Sequence, residues 1–288
     1  MTRGARGTGR PPAVLSIAGS DSGGGAGIQA DLKAFARCGV HGATAITAIT
    51  AQSTVAVEAI HPLPADVVVA QVRTVLADIP VGAVKIGMLA TAELASAVAR
   101  VLDELAPGTP VVLDPVMVAE SGARLLDAEA ERSLVLELLP RASVVTPNLP
   151  EARVLAAHAG QRGTARGLAA AGGTDEEEGE SRELAHAVLA LGPGAVVLTG
   201  GHRRLATDLF LDGDGPIVEI AGERQPDGAA HGSGCTHSSL LAAQLALGRT
   251  PLEAARAARA LTGEAIAHGL RELGGGAGPV DVLHLTRA

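Results

Sequence analysis

Tryptophan and tyrosine are absent from this chain of 288 residues, and phenylalanine occurs only as Phe35 and Phe210. Without aromatic side chains there is no platform on which single-stranded bases could stack. Lysine is almost as scarce, with Lys33 and Lys85 alone. Neither follows a glycine, so a G-x-x-x-x-G-K phosphate loop is excluded. The formal net charge of −8 at pH 7 argues against a nucleic-acid partner. Two cysteines, Cys38 and Cys235, form no paired framework and no C-x-x-C spacing, which points to a reducing compartment and no disulfide. No apolar run reaches about 18 residues, so no membrane partner is expected. Ala13–Ala18 is too short for the apolar core of a signal peptide, and the expected location is the cytoplasm.

What is present is a large stock of Ala, Val and Leu, within 47% hydrophobic residues. Short apolar runs (Ala13–Ala18, Ala43–Ile49, Val55–Ile60, Ala83–Ile86, Val111–Leu113, Ser143–Val145, Ala195–Leu198) alternate with helical patterns. These helices are expected at Ala26–Cys38, Ala65–Ala77, 91–105, 127–138, 150–158 and 181–191. The alternation predicts an α/β fold with a mainly parallel central sheet and helices on both faces. Asp208–Leu211 and Ile217–Ile220 read as a hairpin, followed by two helices near 234–247 and 251–268. Residues 1–12, with Arg3, Arg6 and Arg10 among Gly and Pro, are expected to be a disordered tail before a single domain over 13–288. The run Asp175-Glu176-Glu177-Glu178 marks 160–180 as a flexible, solvated insertion.

The strongest local signal is Gly232-Ser233-Gly234-Cys235-Thr236, which runs directly into the apolar helical pattern of Ser238 through Leu247. Free backbone N–H groups at a helix N-terminus, backed by the helix dipole, make an anion site suited to phosphate. The same field is expected to lower the Cys235 thiol pKa. The alternative is a helix start that merely needs small residues. A second glycine-rich segment, Gly19 to Gly27, lies between a strand and a helix. It does not fit G-x-G-x-x-G, since residue 28 is Ile, and no acidic residue ends the next strand. It is read instead as a loop closely approaching a small ligand, with Asp21 as a polar contact, or as a plain tight turn. Lys85 through Met88 ends its strand, and Gln52, Asp114, Asn148, Glu151 and Thr199-Gly200-Gly201 fall just beyond strand ends, where open α/β sheets bind ligands. Singly each is an ordinary cap, and Glu151 could be a capping-box partner of Asn148. His231, Cys235 and His237 are of types that suit zinc, but no fourth ligand has recognisable spacing. His231 is read as a loop hydrogen-bonder and Cys38 as buried and inert.

With these residues in hand, the chain resembles the hydroxymethylpyrimidine and phosphomethylpyrimidine kinases, within the ribokinase-like superfamily. The markers are Ala18-Gly19-Ser20-Asp21, Gly24 through Lys33, Thr50-Ala51-Gln52, Lys85 through Leu89, Asp114-Pro115-Val116-Met117, Thr146 through Ala152, Gly200-Gly201-His202 and His231 through Thr236. The resemblance implies ATP-dependent phosphorylation of an aminopyrimidine alcohol and of its monophosphate, in thiamine biosynthesis. It implies Cys235 as the base that takes the hydroxymethyl proton, with the N–H groups of Gly232, Ser233 and Gly234 on the transferred phosphoryl. Gln52 would hydrogen-bond the pyrimidine, beside Gly19, Ala26, Met88 and Val116. Asp114, Asn148 and Glu151 would arrange Mg²⁺ and its waters around the ATP phosphates, with Thr199 and Gly201 on the nucleotide. Family members usually carry Lys, Asp and Lys where Glu120, Ala123 and Thr199 stand, and Arg124 or Arg203 could replace the missing cations. Asp227-Gly228-Ala229-Ala230 replaces the usual Asn-Thr lead-in to the His. A pyridoxine or pyridoxal kinase and an inactive ligand-binding relative are the alternatives. A homodimer is the expected assembly.

Overall fold

The computed structural model describes residues 10–118, 126–161, 174–203, 206–213, 215–225 and 229–285. Among them, nine strands form one sheet: β1 (Ala13–Asp21), β2 (His41–Gln52), β3 (Val57–Pro62), β4 (Val81–Ile86), β5 (Val111–Leu113), β6 (Val144–Val145), β7 (Ala195–Leu198), β8 (Asp208–Asp212) and β9 (Val218–Ile220), in the order β3-β2-β1-β4-β5-β6-β7-β8-β9. β2, β1, β4, β5, β6 and β7 are parallel; β3 pairs antiparallel with β2 at one edge, and at the other β8 pairs antiparallel with both β7 and β9. The mainly parallel α/β architecture read from the alternation is the one observed.

Side-chain alternation along each strand assigns the two faces. Leu15, Ile17, Val84, Ile86, Leu113, Val145, Val196 and Leu198 face one layer. It contains α2 (Ala65–Asp78), α3 (Ala92–Leu102), α4 (Ala128–Ser133), α5 (Leu149–Gln161) and α6 (Thr174–Leu189). Val14, Ala83, Val112, Val144, Ala195 and Val197 face the other. There lie α1 (Gly27–Arg37), α7 (Ser233–Ala246) and α8 (Pro251–Ala267). The core strands are short apolar runs because both faces are covered.

Three details depart from the reading of the sequence. β1 continues through Gly19-Ser20-Asp21, held by pairing to β2 beyond a register shift between Ala18 and Ser20. The helix expected over 127–138 starts at Asp127, whose Oδ1 accepts the Ala130 N–H (2.8 Å), but widens to a π turn over Leu134–Leu138. Within 160–180, residues 162–173 lie outside the described residues, as do 1–9 of the expected tail, while 174–180 form the opening turns of α6. The acidic run thus lies in a helix.

The strand order reverses between β1 and β4, because β2 and β3 lie to one side of β1 and all later strands to the other. A crevice is expected outside the carboxyl ends of strands at such a point.

Candidate active site

A cavity of about 360 Å³ opens at that edge. Its wall includes Gly19, Asp21, Ala26, Gln52, Met88 and Val116, then Asp114, Asn148, Glu151, Thr199 and Gly201, and the segment Gly232, Ser233, Gly234 and Cys235. The residues assigned from the sequence to substrate, nucleotide, metal and proton transfer therefore border one space. Their separate roles differ from expectation in several cases.

α7 begins at Gly232 (φ +77°) with no side-chain cap. A Cβ there would stand 1.8 Å from Gly25 O, so the position admits only glycine. Thr236 N–H makes the first ladder bond, to Gly232 O (2.9 Å). The preceding N–H groups, including those of Gly234 and Cys235, have no partner within the helix. Ser233 is a correction: its N–H is spent on Ala230 O (2.9 Å), inside the entering turn.

Asp21 is a second correction. Its buried carboxylate does not reach out for a ligand but accepts the N–H groups of Gly23 (2.8 Å), Gly25 (3.0 Å) and Ala26 (2.8 Å). His231 Nε2 lies 3.3 Å from the same carboxylate. Burial alone would raise the Asp21 pKa, yet the His231 contact and these N–H groups outweigh it and hold it below the usual carboxylate value. His231 is thus the loop hydrogen-bonder expected. The zinc reading fails: His231 faces Asp21 and His237 faces Asp208 (3.2 Å), so neither converges with Cys235.

Beneath Cys235 lies a cluster that sequence reasoning missed. Lys85 Nζ is fully buried, 2.9 Å from Asp31 Oδ1 and 3.8 Å from Asp114 Oδ2. Asp31 also accepts the hydroxyls of Ser16 (2.5 Å) and Ser239 (2.7 Å), and Asp114 that of Ser238 (2.9 Å). Burial works against the Lys85 charge, but Asp31, Cys235 and Asp114 prevail and raise its pKa. The signal was present: one of only two lysines sits inside an apolar strand, on the face shared with Ser16.

The expected depression of the Cys235 thiol is not found. Burial pushes it up to about 12; Lys85 and the Gly27 N–H that hydrogen-bonds it lower it, but Asp114 and Asp31 add to the rise. Burial likewise raises Asp114, against Lys85 and Ser238. Glu151 is pushed up to about 8 by burial and by the Asp114 charge. The capping reading of Glu151 holds. Its carboxylate accepts the Asn148 N–H (2.9 Å) while Asn148 Oδ1 accepts the Glu151 N–H (2.8 Å), a reciprocal cap on α5. It also lies close enough to Asp114 to feel its charge.

At the Gly200-Gly201 turn, Asp208 Oδ1 accepts the Gly200 N–H (2.7 Å) and lies 3.7 Å from Arg259 Nε. Thr199 turns its hydroxyl toward Pro147 O (3.5 Å). Arg203 cannot supply a missing phosphate contact, because it is buried, paired with Glu178 and bonded to Thr207 O. Positions 120, 123, 124, 227 and 228 lie outside the described residues. The described arginines on the cavity wall are Arg224 and Arg259, neither anticipated.

Residues 21–281 match the phosphomethylpyrimidine kinase family profile, and the chain belongs to that family. The hydroxymethylpyrimidine/phosphomethylpyrimidine kinase of Rhizobium meliloti is 47% identical over 274 residues, covering 94% of this chain and 97% of that protein. Among solved structures, the pyridoxal kinase from Staphylococcus aureus in complex with pyridoxal is 32% identical, with a TM-score of 0.81, covering 97% of this chain and 96% of that one. The phosphomethylpyrimidine kinase from Clostridium difficile is 36% identical with a TM-score of 0.73, covering 88% and 99%.

The Glu151 environment sets a pH dependence. Its folded-state value of about 8 stands above the ordinary 4.5. Between these the folded chain holds a proton that the unfolded chain releases, so this contribution to stability falls as pH rises. Thermal unfolding of ligand-free protein should show a Tm decline from pH 5 to 8 that is flatter in Glu151→Gln. Equal slopes would mean that Glu151 is ionised in the folded state throughout.

Proposed function

We propose that this chain transfers a phosphoryl group from ATP to 4-amino-5-hydroxymethyl-2-methylpyrimidine and then to its monophosphate. The observation that carries the reading is the placement of the Cys235 thiol. It sits at the open N-terminus of α7, against the Gly27 N–H and above Lys85, in one cavity with Gln52 and Asp114.

Gln52 is suited to hold the aminopyrimidine. Its backbone is clamped by reciprocal bonds with the Ser22 hydroxyl (2.8 Å each), and its Oε1 accepts the Thr50 hydroxyl (3.2 Å). The amide can donate and accept toward a ring nitrogen and its exocyclic amine. Gly19, Ala26, Met88 and Val116 supply the apolar wall. The N–H groups opening α7 receive the transferred phosphoryl, whose transition state asks for positioning and charge neutralisation more than for covalent chemistry. Nucleotide binding belongs to the kinase family; Thr199, Gly201 and Asn148 are the residues we assign to it here.

Asp114 and Glu151 fit a divalent cation, since two acids raised in pKa, one by the other's charge, border the same space. Mg²⁺ held there would neutralise phosphate charge and offset the Asp114 field. Lys85 and the Gly27 N–H are the groups that favour the Cys235 thiolate. With its own proton passed to solvent, the Cys235 thiolate takes the substrate's hydroxyl proton as the phosphoryl group is transferred. The proposal extends to a cytoplasmic homodimer, and the free thiols of Cys38 and Cys235 support that compartment. Among the described residues no helix is long and apolar enough to cross a membrane.

A coupled ADP-release assay with the pyrimidine alcohol, then its monophosphate, tests the reading. Cys235→Ala should lower kcat by about 10²–10⁴ while substrate still binds. Retention of half the wild-type kcat would remove Cys235 from the base role.

The same assay in excess chelator should show turnover lost and restored by Mg²⁺. Full activity without a divalent ion would overturn the assignment of Asp114 and Glu151.

Gln52→Leu should weaken pyrimidine binding by roughly 1–3 kcal/mol, about 5- to 150-fold, with the KM for ATP little changed. Calorimetric titration against wild type decides between this and a purely structural Gln52, for which Tm falls and affinity does not. Pyridoxal run alongside shows whether the cavity prefers the other vitamin alcohol.

A further inference from the structure

The phosphoryl-transfer chemistry uses none of the histidines at the end of α8. Glu264 lies in the last turn of that helix and His268 caps it four residues on, so the two share one face. The chain then folds back and brings His284 against this face, through a backbone φ of +56° that is uncommon outside glycine. His284 Nε2 lies 3.3 Å from Glu264 Oε1. The rings of His268 and His284 have centroids 5.1 Å apart and planes tilted by 56°. One nitrogen of each ring and one carboxylate oxygen all fall within 4.8 Å of one another. Among the described residues no other group of three His, Cys, Asp or Glu side chains converges in this way. Nδ1 of His284 is buried without a hydrogen-bond partner, so the ring keeps a nitrogen that the protein leaves unsatisfied.

We propose that Glu264, His268 and His284 bind a divalent transition metal of the zinc type. Two imidazoles and a carboxylate are a donor set that zinc takes at about 2.0–2.2 Å, and a tetrahedral shell at those lengths spaces its donor atoms about 3.3 Å apart. His284 and Glu264 already stand at that spacing. His268 closes the remaining distance by side-chain rotation, and the fourth position is left to water. Hard cations such as Mg²⁺ favour oxygen shells and fit the set poorly. Arg37 now supplies the positive charge. One guanidinium nitrogen lies 3.5 Å from Glu264 Oε2 and 3.5 Å from His284 Nε2. Its side chain is 36% exposed, and an ion pair so open to solvent is weak, so the metal can displace it.

The consequence is structural and reaches the active site from behind. The segment ending at His284 also holds the strand-like contact that precedes the Gly232 turn. His231 N–H donates to Gly278 O (3.2 Å), and Val280 N–H donates to His231 O (3.1 Å). Asp281 N–H bonds Ala265 O (2.9 Å), one residue from Glu264. A metal joining α8 to His284 would staple this segment and stabilise the folded chain by mass action.

The test uses the full chain, stripped with chelator and titrated with Zn²⁺ by calorimetry and with Co²⁺ by visible absorption. One ion per chain is expected, with a Kd on the order of 1 μM or tighter, a raised Tm and no near-ultraviolet thiolate-to-cobalt band. The His268→Ala/His284→Ala double variant should lose affinity about tenfold or more while keeping kinase turnover. If that variant fails to fold, Glu264→Gln carries the same comparison at unchanged size. Binding only at millimolar metal, unchanged affinity in the variants, or a thiolate band reporting Cys38 or Cys235 would each overturn the proposal.

Discussion

A single buried ammonium organises this site. Lys85 Nζ stands between Asp31 on α1 and Asp114 beyond β5, with Ser16 of β1 and Ser238 and Ser239 of α7 bonded to the same carboxylates. Five elements thus meet at one charge. Burying an ion pair gives little net stability, because desolvation offsets the attraction, but stripping one partner from it typically costs about 3–5 kcal/mol. What the pair imposes is position. α7 cannot slide along the sheet without leaving Asp31 or Asp114 short of a donor, so the N-terminus of α7 and its thiol are held at a defined height over β4.

The cluster carries more acid than base, and that imbalance sets the resting chemistry. Two carboxylates share one ammonium, and Glu151 adds a third acid nearby. Protons are therefore retained at Cys235 and Glu151, where isolated groups would hold them less tightly. An acidic site is an odd host for the phosphates of ATP unless positive charge arrives with the ligand. The lack of lysines sharpens this point, since Lys85 is committed to Asp31 and the cavity arginines, Arg224 and Arg259, each donate to a backbone carbonyl, of Arg203 and Ala206. The proposed cation is the component that balances the charge.

Much of this was legible in the sequence, for identifiable reasons. Apolar runs such as Val111–Leu113 and Ala195–Leu198 declare a two-sided parallel strand because hydrophobicity and length are local properties. The site positions could be placed on one rim because strand ends are local too. Hydrogen-bond partners are not. Asp21 read as a ligand contact because its three N–H donors and His231 are brought to it only by the folded loop. The thiol shift of Cys235 had the wrong sign for the same reason: the helix N-terminus is visible in sequence, but the burial and the two aspartates that outweigh it are not. Arg203 looked like a free cation until α6 supplied Glu178.

The two glycine-rich segments show where the boundary lies. Each alone is an ordinary turn. In the structure they mesh: a Cβ on Gly232 would meet Gly25 O at 1.8 Å, and one on Gly25 would meet the His231 ring at 2.1 Å. The Gly25 carbonyl and the Gly232 turn are in contact because His231 is drawn to Asp21, which in turn ties down Gly23, Gly25 and Ala26. That packing brings the Gly27 N–H to the Cys235 sulfur. The small residues at 25 and 232 therefore answer to each other across two hundred positions of chain. Their composition follows from a steric contact between the loop after β1 and the start of α7, and the placement of the uncapped α7 N-terminus follows from that contact.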